Sequence, residues 1–269
     1  MPLSNRRGVS LLEVVLALAL LGLLGGVFVR ASLQAERNTR ATLEAAQLHA
    51  SFDATLDFLD QDLADLAADD TTGVDLAQIA TDSVTWRATR GAGLACRVAP
   101  TGVWLLARRW VAARQPQAGR DSLLLYIDSD STAAASAHWL ALPVLGVSAA
   151  SCGGEPALRV STVLDTTLAN RTDLPLLFPA RSYEVMQARF YQSQGKWWFG
   201  VRSVSAGEGI QPLAGPFAPG GFRLTYTDSL ALAATSPAAV RAIRILLAGA
   251  STTGRDSAGI TLHPRNLVP

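Results

Sequence analysis

From Val9 to Val29 the chain is apolar for about 20 residues, the length of a helix that crosses a bilayer, and Glu13 is the one charge inside it. No other feature limits the architecture so strongly. A carboxylate within a membrane span costs roughly 2.5–3.5 kcal/mol on insertion scales, so it calls for a function and a partner. The span holds no cation to serve. If the chain is cut between Gly8 and Val9, however, Glu13 becomes the fifth residue of the mature helix, one turn from a fresh α-amino group. Staggered neighbouring copies of such a helix could pair amine with carboxylate inside the membrane.

The segment Gly8-Val9-Ser10-Leu11-Leu12-Glu13-Val14-Val15-Leu16-Ala17-Leu18, preceded by Arg6 and Arg7, resembles the class III signal of type IV prepilins and type II secretion pseudopilins. The resemblance implies a basic leader, residues 1–8, removed after Gly8 by a membrane-embedded prepilin peptidase. The same enzyme would methylate Val9, and Glu13 would be the assembly carboxylate. Val9 stands where the family usually has Phe or Met. The alternative is a plain signal anchor or a cleaved secretory signal. The run is longer than an ordinary h-region, no small-x-small site with a plain mature start follows it, and an anchor has no use for Glu13.

Arg6 and Arg7 precede the span, while Arg30, Arg37 and Arg40 follow it. Positive charge near the membrane therefore does not select an orientation. The family resemblance implies a cytoplasmic leader, a single pass through the inner membrane, and a domain in the periplasm or outside the cell.

The helix is expected to continue past the membrane. Residues 30–68 hold good helix formers, and from Ala31 to Ala68 there is no Gly or Pro. Phe52, Leu56, Leu59, Leu63 and Leu66 recur at steps of four and three, which sets them on one face, with Asp53, Asp57, Asp60 and Asp65 opposite. Such a helix lays its apolar stripe on a folded domain. Asp69-Asp70-Thr71-Thr72-Gly73 ends it. Gly22, Gly25 and Gly26 within the span allow neighbouring helices to approach closely.

Residues 74–269 change to short alternating segments that read as strands: Ser83–Thr89, Leu94–Val98, Gly102–Leu106, Ser122–Ile127, Trp139–Leu142 and Leu158–Ser161. Tyr183–Tyr191 and Trp197–Arg202 form a hairpin, with Met186, Ala188 and Phe190 on one face, as are Trp197, Phe199 and Val201. Gly221–Thr227 and Val240–Ala248 finish the domain. Ala133–Ala137 and Ala231–Ala239 read as loops, the second with a possible helical turn. The fold class is therefore α+β, with a long N-terminal helix, its first half in the membrane and its second half amphipathic, packed on an antiparallel sheet. That arrangement resembles the pilin fold. Leu59-Asp60-Gln61-Asp62-Leu63, the hairpin and then Gln211-Pro212-Leu213 follow the element order of larger minor pilins and J-type pseudopilins.

A net charge of +1 creates no overall pull toward nucleic acid or anionic membrane. Trp197-Trp198 beside Lys196, and Trp104, Arg108, Arg109 and Trp110, are the residues a single-stranded nucleic acid platform would use, but tryptophans at alternating strand positions fit a core. Cys96 and Cys152 are the only cysteines. They read as a disulfide in an oxidising compartment, contributing about 3–5 kcal/mol on the chain-entropy model, or else as two buried thiols. His49, His138 and His263 share no metal-ligand spacing. Asp128-Ser129-Asp130-Ser131-Thr132 starts like a calcium loop, but it lacks the sixth-position glycine and has Trp139 in place of the bidentate glutamate. No nucleophile elbow or phosphate loop is present. No cofactor, metal or catalytic residue is assigned.

These features point to a structural subunit and not an enzyme. It would be processed by prepilin peptidase and assembled with other pilins or pseudopilins through its N-terminal helix, at the tip or in the priming of a type IV pilus. A J-type minor pseudopilin of a type II secretion filament is the alternative within that class. A membrane-anchored adhesion or DNA-uptake module is the alternative outside it.

Overall fold

In the computed structural model of the chain, Leu11–Leu63 is one α-helix (α1) of 53 residues, about 80 Å long at 1.5 Å per residue. The structure describes residues 11–69, 73–127, 138–164, 177–252 and 254–264. Every residue from Leu11 to Arg40 is exposed, and this stretch is long and apolar enough to cross a membrane. Burial starts at Leu48 and continues through Phe52, Leu59, Leu63 and Leu66, with Leu56 and Phe58 packed beside them. This is the stripe that the 3.6-residue period demands. Asp53, Asp57 and Asp60 face solvent on the other side.

The helix stops at Leu63 instead of reaching Ala68, because Asp75 takes hold of the chain just beyond it. The Asp75 backbone N–H donates to the Ala67 carbonyl at 2.8 Å, and Asp75 Oδ2 accepts the Ala67 N–H at 3.0 Å. Ala68–Asp69 (β1) then pairs with Gly73–Val74 (β2).

The large sheet contains Leu76–Ile79 (β3), Ser83–Ala99 (β4), Gly102–Leu106 (β5), Val111–Ala112 (β6), Asp121–Ile127 (β7), His138–Pro143 (β8), Gly146–Cys152 (β9), Glu155–Ser161 (β10), Phe178–Ser193 (β11), Lys196–Ser203 (β12) and Gln211–Phe217 (β13). Its main path is β13-β12-β11-β4-β5-β10-β9; β3 and β6 add to β4, and β7 joins β11 to β8. Phe222–Thr227 (β14), Ala242–Ser251 (β15) and Gly254–Leu262 (β16) form a second, three-stranded sheet. All pairings in both sheets are antiparallel.

Two further departures concern strands that the sequence did mark. Ser83–Thr89 and Leu94–Val98 are not separate strands but parts of the 17-residue β4. Arg90-Gly91-Ala92-Gly93 looks like a break because of its glycines, yet those glycines make room for a crossing segment. A Cβ on Gly93 would lie 2.1 Å from the Arg109 carbonyl oxygen, and one on Gly91 would lie 2.9 Å from the Trp110 ring. The hairpin turn is also tighter than Gln192–Lys196. Only Gln194 and Gly195 separate β11 from β12, at φ of 51° and 73°, the double positive φ that suits the twist of a two-residue turn.

β11 organises the interior. Each even-numbered residue from Phe178 to Phe190 is buried, so one face of one strand covers two cores. Met186, Ala188 and Phe190 close the first core, with Trp86, Phe199, Leu224, Ile243, Ile245, Leu247 and the α1 stripe. Phe178 and Ala180 close the second, with Ala95, Val103, Leu105, Leu123, Leu125 and Ile127, which α1 does not reach. Ser182 and Glu184 lie between the two.

Candidate functional site

Glu13 lies in the first turn of α1 and is exposed. Among the described residues no side chain pairs with it. Gly8, Val9, Arg6 and Arg7 lie outside the described residues. A Cβ at Gly22, Gly25 or Gly26 would meet nothing within 4 Å, so this side of the helix is notched and open.

A second polar assembly, which sequence reasoning missed, occupies the junction of the two cores. Glu184 is buried and is held by Arg90 Nε at 3.0 Å, Arg114 Nη2 at 3.0 Å and Arg120 Nε at 2.5 Å. Arg90 also faces Asp62 of α1 at 3.7 Å, Arg114 pairs with the buried Asp121, and Arg120 reaches Glu208 at 2.8 Å. Burial pushes the Glu184 carboxyl up, but hydrogen bonds from Ser203, Arg90 and Arg114 and the Arg90 charge outweigh it and hold the group below the usual glutamate range. The hydrogen bond to Asp121 holds the Arg114 guanidinium more firmly protonated. At Asp62 burial wins over Arg90, and the carboxyl lies above its usual range. Asp75 is raised in the same way, by burial first, against the pull of Arg181, whose Nη2 lies 2.7 Å from Asp75 Oδ1. The cluster ties α1 to β4, β7 and β11.

Cys96 and Cys152 are bonded, with Cα atoms 6.5 Å apart, fastening β4 to the sheet-edge strand β9. His49 lies on α1 and pairs with Asp256 of β16 at 3.1 Å, His138 opens β8, and His263 follows β16; the structure does not bring them together. Among the described residues no three His, Cys, Asp or Glu side chains form a group that could hold a metal. The calcium-like stretch Asp128–Thr132 lies outside the described residues.

The aromatic and basic residues considered for nucleic acid do not converge. Trp197 stacks on Phe190 at 5.0 Å, at the first core. Trp110 packs against the second core, while Arg108 and Arg109 are exposed. Trp104 faces the other way, out of the sheet, between Arg97 and Arg159. No family model, no curated protein and no solved structure matches the chain.

Proposed function

We propose that the chain is a filament subunit of the pilin class, a minor pilin that primes or tips a type IV pilus. Prepilin peptidase would cut between Gly8 and Val9 and methylate Val9. The helix would then leave the bilayer with Glu13 neutralised by the Val9 amine of a neighbour, or by its own amine at the tip. The supporting observation is the division of α1. Leu11 to Arg40 is exposed throughout and carries Glu13 unpaired, whereas Leu48 to Leu63 is built into an antiparallel domain. The helix therefore has one half for a domain and one half for lipid or other helices. The disulfide supports a domain on the oxidising side of the membrane. Because the ion pair would form in a dry site, its attraction and its desolvation cost are of similar size, and its main effect is to fix register.

Mass spectrometry of the mature N-terminus tests the processing: a methylated Val9 is expected, and an intact Met1 would overturn the reading. Glu13→Ala is expected to give a folded, processed protein that stays out of filaments; its normal incorporation would remove the role given to Glu13. A clean deletion scored for surface pili and for exported proteins separates the pilus from the J-type secretion pseudopilin. Lost pili with normal export is the outcome expected here.

A further inference from the structure

The face of the large sheet turned away from α1 carries arginines that meet no carboxylate among the described residues. Arg97 on β4, Trp104 on β5 and Arg159 on β10 stand side by side, since Trp104 is the cross-strand partner of both arginines. The guanidinium carbons lie 4.8 Å and 5.3 Å from the Trp104 ring centroid. Arg159 Nη2 donates to Thr101 Oγ1 at 3.0 Å, and its buried Nε has no acceptor. Among the described residues neither arginine meets a carboxylate. Farther along the same face Arg189 is exposed, and Arg202 Nε donates to the neutral Gln187 at 2.8 Å.

The opposite side of the molecule has the opposite charge. Asp53, Asp57 and Asp60 project from the solvent face of α1 and have no ion-pair partner among the described residues. A net charge of +1 thus conceals an arginine pair on the sheet face and an aspartate row on the helix face. The spacings also agree. Arg97 and Arg159 are two strands apart, about 10 Å at 4.7–4.9 Å per strand, and stacking on Trp104 restrains both heads. Asp53 and Asp60 are two helical turns apart on one row, about 10.5 Å.

We propose that the Arg97–Trp104–Arg159 face docks the Asp53–Asp60 row of α1 from a second copy of this chain. A nucleic acid strand fits this face less well, because guanidinium groups crowd the Trp104 ring that a base would stack on. The two surfaces belong to opposite sides of one molecule. The contact is therefore heterologous: it leaves a free arginine face at one end and a free acidic helix at the other, and it repeats in an open array unless the rotation closes a ring. This deepens the filament reading by making the first assembled unit at least two copies of this chain in contact through their domains. It does not involve Val9 or Glu13.

The test uses the full-length chain in membranes, as two differently tagged copies, one with Ala54→Cys beside the aspartates and the other with Thr101→Cys beside Arg159. Disulfide formation between the copies is expected, and not when Lys196→Cys replaces Thr101→Cys. Arg97→Glu with Arg159→Glu on the Thr101→Cys copy should lower the product at least tenfold, and Asp53→Arg with Asp57→Arg on the other copy should restore it. Blocked Cys96 and Cys152 thiols, read by alkylation, confirm that each variant is folded. No product, or a product indifferent to the reversals, overturns the proposal. So does charge-dependent retention on an oligonucleotide without the cross-link, which would assign the face to a polyanion. Repeating the pair with Glu13→Ala separates the two readings: the cross-link should persist when assembly through the membrane helix fails.

Discussion

Arg90 is the extra residue of β4, passed over where the pairing with β11 steps from Gly91↔Ser182 to Thr89↔Tyr183, and its Nε meets Glu184 Oε2 at 3.0 Å. Arg90 continues the inward alternation of Val84, Trp86 and Ala88, and the bulge shifts the period after it, so that Ala95 also faces inward opposite Phe178.

Glu184 is the shared anion of three guanidinium groups, so removing it leaves three partly buried cations with one carboxylate partner each. Glu184→Ala is expected to destabilise the domain by about 3–5 kcal/mol. Urea unfolding of the detergent-solubilised chain measures this, and a loss below about 1 kcal/mol would show that solvent reaches the cluster.

Asp62 and Glu184 carry opposite pH dependence. The Asp62 carboxyl is raised by burial, so the folded chain holds that proton more tightly than the unfolded one. Its contribution is complete below about 3.9 and is lost as pH rises through the folded pKa. Asp62→Asn should therefore gain on the parent toward neutral pH and converge with it in acid. Glu184 is held low, so its contribution is complete above about 4.3 and disappears as pH falls through the folded pKa. Urea midpoints between about pH 3 and 7 for the parent and Asp62→Asn would show the difference closing in acid; a constant offset would argue that Asp62 titrates normally.

Gly93 has no room for a methyl group, with backbone at 2.1 Å from the Cβ position. Gly93→Ala is expected to cost about 1–3 kcal/mol as an overpacking change. Gly146→Ala is the control, since its nearest neighbour would be the Ser161 side chain at an ordinary 3.7 Å. Thermal melting of the pair checks the contrast, and equal melting points would mean that the Ala107–Val111 crossing yields easily.

The Cys96–Cys152 bond closes a loop with a sequence separation of 56, which on the chain-entropy model is about 4 kcal/mol. The Cys96→Ser, Cys152→Ser double variant should lose roughly that much in urea unfolding. Non-reducing alkylation of the parent should find no reactive thiol.

The helix and its buried stripe were legible because Phe52, Leu59, Leu63 and Leu66 repeat with a period that belongs to no other element. Gly102–Leu106 and the Met186/Ala188/Phe190 face were legible through alternation. β9 and β16 were missed because Gly146–Cys152 and Gly254–Leu262 are small or polar and half exposed, so burial never imprints a period on them. β3 is four residues long, and β13 carries a glycine and two prolines, which local rules read as loop. The ion cluster was out of reach for another reason: Arg90 and Glu184 are 94 residues apart, and only the strand pairing brings them together. Arg97 and Arg159 likewise look scattered until β5 places Trp104 between them.

One strand covering both cores has a consequence for how the chain comes into being. β4 is complete by Ala99, but the edge it offers to β11 waits for Phe178 to arrive opposite Ala95. A polypeptide made from its N-terminus must hold that edge open while most of its length is still to come. Neither core can close early, because each lacks the same lid. The interval between the emergence of β4 and of β11 is the period in which this protein most needs a chaperone.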